Sequence, residues 1–222
     1  IKAYDGCINR YVTYSDFVKN VLVDNKFSAE KISVVGSFAE PLMNGVDSQS
    51  KIPTSSLDYE LRGTYRNLGM TEGKKPSTSE SPFVLFAGRL ETYKGVYVLI
   101  DALKHLPKDV RLLIAGVGPE MTRMKMMVGK DSRVTFLGFV PGDELWRLMG
   151  LATAVVVPSV WEEPFGLVAL EAMCMGTPVI VAKSGGLQEI VGDSSAGIIA
   201  PVGDAKGLAR AIERIWLDPD LA

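Results

Sequence analysis

The sequence contains few of the residues that build metal sites, disulfide frameworks or histidine-dependent catalytic sites. Its 222 residues include one histidine and two cysteines, so neither a Ser-His-Asp triad nor a structural zinc site is expected. Cys7 and Cys174 lie far apart in the sequence, and the apolar residues around Cys174 predict a buried thiol rather than a disulfide. We therefore expect a reducing compartment and a cytoplasmic protein.

Long apolar runs and a large net charge are also absent. The longest uncharged run, residues 148–161, has 14 residues, fewer than the ~18 that a membrane span requires. Lys plus Arg number 24 and Asp plus Glu number 26, so the chain offers no overall positive field to nucleic acid. No basic segment precedes an apolar one after Ile1, so no signal peptide is visible. We expect no transmembrane segment and no nucleic-acid partner.

The sequence does contain a series of short, continuous Val/Ile/Leu runs that alternate with helical patterns. The runs cover residues 83–87, 111–115, 134–137, 154–157, 178–182 and 197–200. Apolar runs without alternation are typical of strands that helices cover on both faces. Their βαβα order predicts an α/β fold with a doubly wound, Rossmann-like parallel sheet. In such a sheet, ligands bind at the carboxyl ends of the strands.

The patterns divide the chain into three predicted parts. Residues 1–38 are too few for a domain and resemble the tail of a preceding one, residues 39–82 form a linker, and residues 83–222 hold the sheet. The first two parts contain the following predicted elements: a strand at 8–13, a helix at 15–25 with Ser15 as its N-cap, a strand at 32–35, a short helix at 57–68 and a mobile loop at 72–82.

The stretch from Trp161 to Met173 places two carboxylates around the predicted start of a helix, near Phe165 or Gly166. Glu163 and Glu171 are eight positions apart, about 800° and ~12 Å along a helix, so both can face one crevice. The free N–H groups of the helix start suit a phosphate, and the carboxylates suit sugar hydroxyls. In the alternative interpretation, Glu162 and Glu163 are solvated loop residues and Glu171 is exposed or ion-paired.

The stretch from Gly88 to Gly95 carries two cations after a predicted strand. Lys94 lies where the next helix begins, which is unfavourable for a cation by ~0.3 to 1 kcal/mol. A bound diphosphate would explain this position, because Arg89 offers a bidentate fork and Lys94 a point charge. In the alternative interpretation, both side chains simply lie in water.

Six motifs occur in order between residues 83 and 216. They are G-R-L with K-G at 88–95, G-V-G-P-E at 116–120, F-L-G-F-V at 136–140, P-S at 158–159 with E-P-F-G-L at 163–167 and E-A-M at 171–173, G-T-P-V at 176–179, and S-G-G-L-Q-E at 184–189. This part of the chain resembles the C-terminal half of group 1 glycosyltransferases, which are retaining enzymes of the GT-B fold. The resemblance implies a nucleoside-diphosphate sugar as donor, no cofactor and no metal.

The resemblance also implies roles for individual residues. Glu163 would contact the donor sugar, and Glu171 the ribose. Arg89 and Lys94 would hold the diphosphate and, with Glu163, act in catalysis as charge develops on the leaving group. Phe139 and Val140 would line the base pocket, and Phe165, Gly166 and Leu167 would offer backbone amides to the donor. Gly88, Gly116 and Val168 are the other implied donor-binding residues.

The partners implied by the resemblance are an acceptor, which is a sugar, a glycan or a lipid-linked sugar, and an N-terminal domain of the same enzyme. In the family, that domain holds the acceptor side of the cleft. We therefore expect hexosyl transfer by the full-length enzyme, with peripheral membrane association left open, and donor binding without transfer by this chain alone. Two other functions remain open: an epimerase or phosphorylase of the same fold, and a nucleotide-binding module without chemistry.

Several weaker signals point to structural roles. The G-V-G-P-E-M stretch is similar to a dinucleotide fingerprint, but Met121 replaces the third small residue. The D-x-D pattern of Asp218 and Asp220 falls at the end of the predicted last helix, where we expect a cap or tail. His105 suits a helix C-terminus, and the methionines at 121, 124, 126 and 127 predict a packing face.

Overall fold

The computed structural model describes residues 11–13, 15–34, 82–192 and 196–218. The predicted helix at 57–68 lies outside these ranges, as do Cys7, Asp220, nearly all of the predicted loop at 72–82 and the first part of the predicted strand at 8–13.

A small parallel unit precedes the main sheet. Strand β1 (Tyr11–Thr13) pairs with strand β2 (Ile32–Val34), and helix α1 (Asp16–Asp24) lies between them in sequence. The hydroxyl of Ser15 accepts a hydrogen bond from the Val18 N–H at 3.2 Å, so the predicted N-cap is confirmed.

Six parallel strands form the main sheet, and each lies within or overlaps one of the predicted apolar runs. They are β3 (Val84–Ala87), β4 (Leu112–Ala115), β5 (Val134–Gly138), β6 (Ala154–Val157), β7 (Val179–Ala182) and β8 (Gly197–Ala200). The order across the sheet is β5-β4-β3-β6-β7-β8. The order therefore reverses between β3 and β6, and a crevice opens at such a switch point in doubly wound sheets.

Six helices connect or follow these strands. They are α2 (Val96–Ala102), α3 (Met121–Val128), α4 (Gly142–Leu151), α5 (Leu167–Cys174), α6 (Leu187–Val191) and α7 (Ala205–Leu217). Short 3-10 turns at Thr92–Lys94 and Leu103–His105 flank α2. None of the helices in the described ranges is both long and apolar enough to cross a bilayer.

The core has two layers, one on each face of the sheet. Alternate residues of a strand enter opposite layers: Val84 and Phe86 pack in one, and Leu85 and Ala87 in the other. Helices α2, α3 and α7 cover the first layer, and α4, α5 and α6 cover the second. All residues of β3, β4, β6 and β7 are buried, which explains why the sequence shows continuous apolar runs there.

Two predictions about sulfur-containing residues are wrong. Cys174 is an exposed free thiol at the end of α5, because the residues that α5 buries are Ala169 and Ala172. On α3 the buried methionine is Met124, whereas Met126 is 71% exposed. Met127 is exposed as well, so the four methionines do not share one packing face.

Arg133 fastens the start of β5 to the segment that follows α2. Its Nη1 donates to the carbonyl of Leu103 at 2.9 Å, and its Nε and Nη2 donate to the Asp131 carboxylate at 2.7 to 3.2 Å. These hydrogen bonds lower the pKa of Asp131 from its ordinary value of 3.8 to about 2. The hydrogen bond to Leu103 therefore links two parts of the first core layer, and the ion pair with Asp131 holds the Arg133 side chain in position.

Replacing Asp131 with asparagine should lower the free energy of unfolding at pH 7 by about 1 kcal/mol, the upper range for a partly exposed pair. The pKa of Asp131 is depressed in the folded state, so the contribution is present above 3.8 and is lost as the pH falls toward about 2. Urea unfolding at decreasing pH should show the difference from wild type shrinking. Asp24→Asn, at an exposed site, is the control, and a pH-independent difference would contradict the assignment.

Candidate active site

The loops that follow β3 and β6 meet at the switch point of the sheet. The N–H of Val160 donates to the carbonyl of Tyr93 at 2.9 Å. Gly95 has a φ of 73°, and a Cβ there would fall 1.8 Å from the carbonyl oxygen of Pro158. Only glycine fits this backbone conformation and this close approach, so Gly95 allows the two loops to pack against each other.

An ion pair with a buried carboxylate joins the two loops. Lys94 Nζ lies 2.5 Å from Glu163 Oε1, and the hydroxyl of Ser159 donates to the same oxygen at 2.8 Å. Glu163 is 6% exposed, and Ser159 is fully buried. Among the described residues no donor reaches Glu163 Oε2, so this oxygen is available to a ligand.

Two aromatic rings flank the ammonium group of Lys94. The rings of Tyr93 and Trp161 meet edge to face, with their centroids 5.3 Å apart. Lys94 Nζ lies 5.6 Å from each ring centroid, within the range of a cation–π interaction. The alternative in which Lys94 extends into water is therefore wrong, and so is the solvated alternative for Glu163, whereas Glu162 is exposed.

Arg89 is arranged differently from Lys94. Its side chain is 72% exposed, and its Nη2 lies 2.8 Å from Glu91 Oε1. Within the described part of the chain, no contact joins Arg89 to Lys94 or Glu163. The structure thus brings together two of the three predicted catalytic residues. Arg89 instead forms an exposed ion pair, a kind of contact that contributes little stability.

Helix α5 begins beside the Glu163 loop. The sequence predicts its start near Phe165 or Gly166, and the structure has Gly166 as N-cap and Leu167 as the first helical residue. No backbone carbonyl in the described ranges accepts the N–H of Leu167 or Val168, as expected for the first turn of a helix. These groups are available to an anion.

Glu171 lies just over one turn into α5 and is half-buried. Burial raises the pKa of its carboxyl above the ordinary value. Across the described segments no side chain donates to it or forms an ion pair with it. Both alternatives considered for Glu171, full exposure and ion pairing, are therefore wrong for the described structure.

The remaining predicted residues lie after β3, β4 and β5. A Cβ on Gly116, which has a φ of 141°, would fall 1.8 Å from the carbonyl oxygen of Gly88, so these two loops touch. Phe139 is 62% exposed, whereas Val140 is buried in the second core layer. Phe139 is thus the side chain of this pair that is open to a ligand.

Comparison with known proteins decides the family. The sequence profile of the family "Glycosyl transferases group 1" matches residues 71–222. The chain belongs to the group 1 glycosyltransferases. It is 38% identical over 169 residues to an uncharacterized glycosyltransferase of Methanocaldococcus jannaschii, an alignment that covers 73% of this chain and 41% of that protein.

Solved structures support the same conclusion for the fold. Anabaena HepE, solved in complex with UDP and glucose, is 26% identical with a TM-score of 0.73, over 96% of this chain and 55% of HepE. Sucrose-phosphate synthase of Thermosynechococcus elongatus is 28% identical with a TM-score of 0.71, over 98% of this chain and 52% of the synthase. The fold is that of GT-B glycosyltransferases, and this glycosyltransferase chain spans about half the length of the proteins it matches.

Sequence reasoning assigned no role to three residues of the candidate site: Ser159, Tyr93 and Trp161. Each adjoins a predicted feature, since Ser159 follows Pro158, Tyr93 precedes Lys94 and Trp161 precedes Glu162. Ser159 is also part of the P-S motif, and Trp161 begins the stretch that carries the two carboxylates. Their contacts with Lys94 and Glu163 depend on two loops that fold together, which local patterns do not report.

The described residues of this glycosyltransferase contain no cluster of three or more His, Cys, Asp or Glu side chains placed to hold a metal ion. Asp218 lies at the C-cap of α7, and Asp220 lies outside the described ranges.

Proposed function

We propose that this chain binds the nucleoside-diphosphate sugar donor of a retaining, metal-independent hexosyltransferase. The observation that carries the proposal is Glu171, a half-buried carboxylate with a raised pKa and no partner among the described residues. An unpaired carboxylate in such a position is unfavourable, and a ligand that donates hydroxyl hydrogen bonds would compensate. Glu163 Oε2 and the free N–H groups of α5 support the same ligand.

In this proposal the donor is held at three places. Glu163 accepts hydrogen bonds from the sugar through Oε2, and Glu171 accepts them from the ribose hydroxyls. Arg89, Lys94 and the N–H groups from Phe165 to Val168 hold the diphosphate, with Gly88 and Gly116 leaving room for it and Phe139 beside the base. Arg89 reaches the phosphates by leaving its exposed pair with Glu91.

The proposed reaction breaks the bond between the anomeric carbon and the diphosphate oxygen. Negative charge develops on the leaving diphosphate, and preorganised cations and N–H groups stabilise it. The acceptor hydroxyl forms the new bond on the same face of the sugar, and its proton passes to the leaving phosphate. This accounts for retention without a protein base.

The proposal includes a sugar, glycan or lipid-linked sugar as acceptor, held by an N-terminal domain. Holding acceptor and donor in register contributes ~7 to 11 kcal/mol to lowering a barrier, so we expect the 222-residue chain to bind donor without transferring it.

The exposed thiol of Cys174 fits a reducing compartment, and a cytoplasmic location is part of the proposal. The family match favours this reading over an epimerase, a phosphorylase or a non-catalytic module.

Thermal unfolding with UDP, GDP, ADP and their glucose derivatives tests the donor site, and UDP comes first because HepE was solved with it. A bound diphosphate at a hundred times its Kd should add ~2.7 kcal/mol of stability. The shift should persist in EDTA.

Arg89→Ala should weaken diphosphate binding by roughly 1.5 to 3 kcal/mol, the range for charged hydrogen bonds.

Arg210→Ala is the matched control, because its side chain is 71% exposed and also ion-paired, on α7. It should bind diphosphates as wild type does. The absence of a shift with every diphosphate at millimolar concentration would contradict the donor site. A requirement for magnesium or manganese would contradict the metal-independent part alone.

A further inference from the structure

The N-terminus of α1 is capped by a residue from the far end of the chain. Glu189 Oε2 accepts the N–H of Asp16 at 2.9 Å, and Glu189 Oε1 accepts the N–H of Phe17 at 2.7 Å. Ser15 Oγ accepts the next N–H, that of Val18. Three of the four free N–H groups of this helix end are thus satisfied, two of them by one carboxylate.

The local sequence does not supply this cap. A capping box would place Glu or Gln three residues after Ser15, but Val18 stands there. Glu189, an exposed residue of α6, instead accepts the first two helical N–H groups, those of Asp16 and Phe17. A carboxylate at a helix N-terminus is also favoured by the helix dipole, so the contact joins the small unit to the main domain through charge as well as geometry.

The same helix end holds the loop that carries Glu163. The hydroxyl of Ser15, which is buried, donates to the carbonyl of Pro164 at 2.5 Å. The N–H of Gly186 donates to the carbonyl of Glu163 at 2.7 Å. Two consecutive carbonyls of the loop are therefore fixed, one by α1 and one by the segment that leads into Glu189.

Gly185 and Gly186 allow the loop to lie directly against this segment. A Cβ on Gly185 would fall 2.3 Å from the carbonyl oxygen of Glu163, and a Cβ on Gly186 would fall 2.5 Å from that of Pro164. The Glu163 loop is thus packed against the two glycines and is also bound by Ser15. Glu189, three residues after Gly186, accepts the N–H groups of the two residues that follow Ser15.

We infer that Ser15 and Glu189 form a clamp by which the N-terminal unit positions Glu163 toward the donor sugar. The inference rests on the proposed function, because Glu163 is taken to contact the sugar. Neither residue touches the ligand in this arrangement, so both are positioning residues. When the clamp opens, the Glu163 loop loses one of its two carbonyl contacts, whereas the start of α5 keeps its N-cap Gly166.

The clamp predicts a selective effect on the sugar part of the ligand. In Glu189→Ala and Ser15→Ala, UDP should bind nearly as in wild type, but the ratio of the Kd of UDP to that of UDP-glucose should fall about threefold to tenfold. The same ratio is taken for GDP or ADP if one of those is the nucleotide that binds. Ser15→Thr should restore the ratio, because threonine also serves as an N-cap. Glu162→Ala, at the exposed neighbour in the loop, should leave the ratio unchanged.

Hydrogen exchange of the α1 amides tests the clamp without any ligand. The amides of Asp16 and Phe17 should exchange about tenfold faster in Glu189→Ala than in wild type, because they lose their acceptors. Unchanged exchange would overturn the clamp. Faster exchange with an unchanged ligand ratio would overturn the positioning role while leaving the proposed function intact. If wild type binds no diphosphate, the proposed function and the positioning role both fail, and exchange still decides whether the contact forms.

Discussion

Lys94→Met should lower the free energy of unfolding by about 3 kcal/mol, the lower end of the range for breaking a buried ion pair. The substitution leaves Glu163 buried and charged, with only the Ser159 hydroxyl bonded to it. We take the lower end because the Lys94 side chain is 26% exposed. Urea unfolding at pH 7 measures the loss.

A double-mutant cycle separates the ion pair from the packing of Lys94 between the two rings. Adding Glu163→Gln to Lys94→Met removes the uncompensated charge, so the double variant should recover most of the lost stability. Glutamine keeps an oxygen that can accept from Ser159. The double variant should nevertheless bind diphosphate more weakly than wild type, because the cation is still missing.

Lys104→Met is the matched control. Lys104 Nζ lies 2.5 Å from Asp101 Oδ1, the same separation as in the buried pair, but both side chains of this pair are exposed. Exposed pairs contribute roughly 0 to 1 kcal/mol. A loss in Lys94→Met no larger than in Lys104→Met would show that burial gives the Lys94–Glu163 pair no special weight.

The sheet could be predicted from the sequence because its burial is two-sided. Every residue of β3, β4, β6 and β7 is buried, so each strand is marked by an uninterrupted apolar run with glycine or proline at one end or both. The order of strands and helices along the chain then leaves few topologies. The same logic predicts the site at the carboxyl ends of the strands, where the structure brings Lys94 and Glu163 together.

Contacts between loops could not be predicted in the same way. Glu163 is 69 residues from Lys94, and Asp16 is 173 residues from Glu189. No local pattern encodes such distances, because each pair depends on the packing of two separately formed elements. The sequence therefore indicated that Lys94 and Glu163 belong to the site but not that they bond to one another.

Helix α5 shows a second limit of sequence reasoning. Its residues, L-V-A-L-E-A-M-C, are apolar on nearly every side, so periodicity does not distinguish the core face from the outer face. Cys174 was assigned to the core on composition alone and lies outside it. Glu171 is the only polar residue of the helix, which marks it as a site residue without giving its burial.

Glu171→Gln should stabilise the unliganded chain and weaken its binding of nucleoside diphosphates. Burial raises the pKa of Glu171, so the folded state disfavours the ionised carboxylate. This penalty is absent at acidic pH and grows as the pH rises from the ordinary value of 4.5 through the raised folded-state pKa. The free energy of unfolding of the variant should therefore exceed that of wild type at pH 7, and the difference should vanish in acid.

The loss of affinity should be roughly tenfold to a hundredfold, since a hydrogen bond to a charged group contributes about 1.5 to 3 kcal/mol. It should be equal for UDP and UDP-glucose, because both carry the ribose. Isothermal calorimetry measures it, and Glu162→Gln, at an exposed carboxylate of the neighbouring loop, should change neither stability nor affinity.

The two effects of Glu171→Gln have opposite signs, and this opposition separates a binding residue from a structural one. A carboxylate with a structural partner would lose stability on neutralisation, and a carboxylate without any role would gain stability at no loss of affinity. A half-buried glutamate without a partner loses part of its hydration and gains no hydrogen bond in exchange. Such a residue is expected where a ligand supplies the missing donors. A variant that is less stable than wild type, or that binds diphosphates equally well, would remove Glu171 from the proposed site.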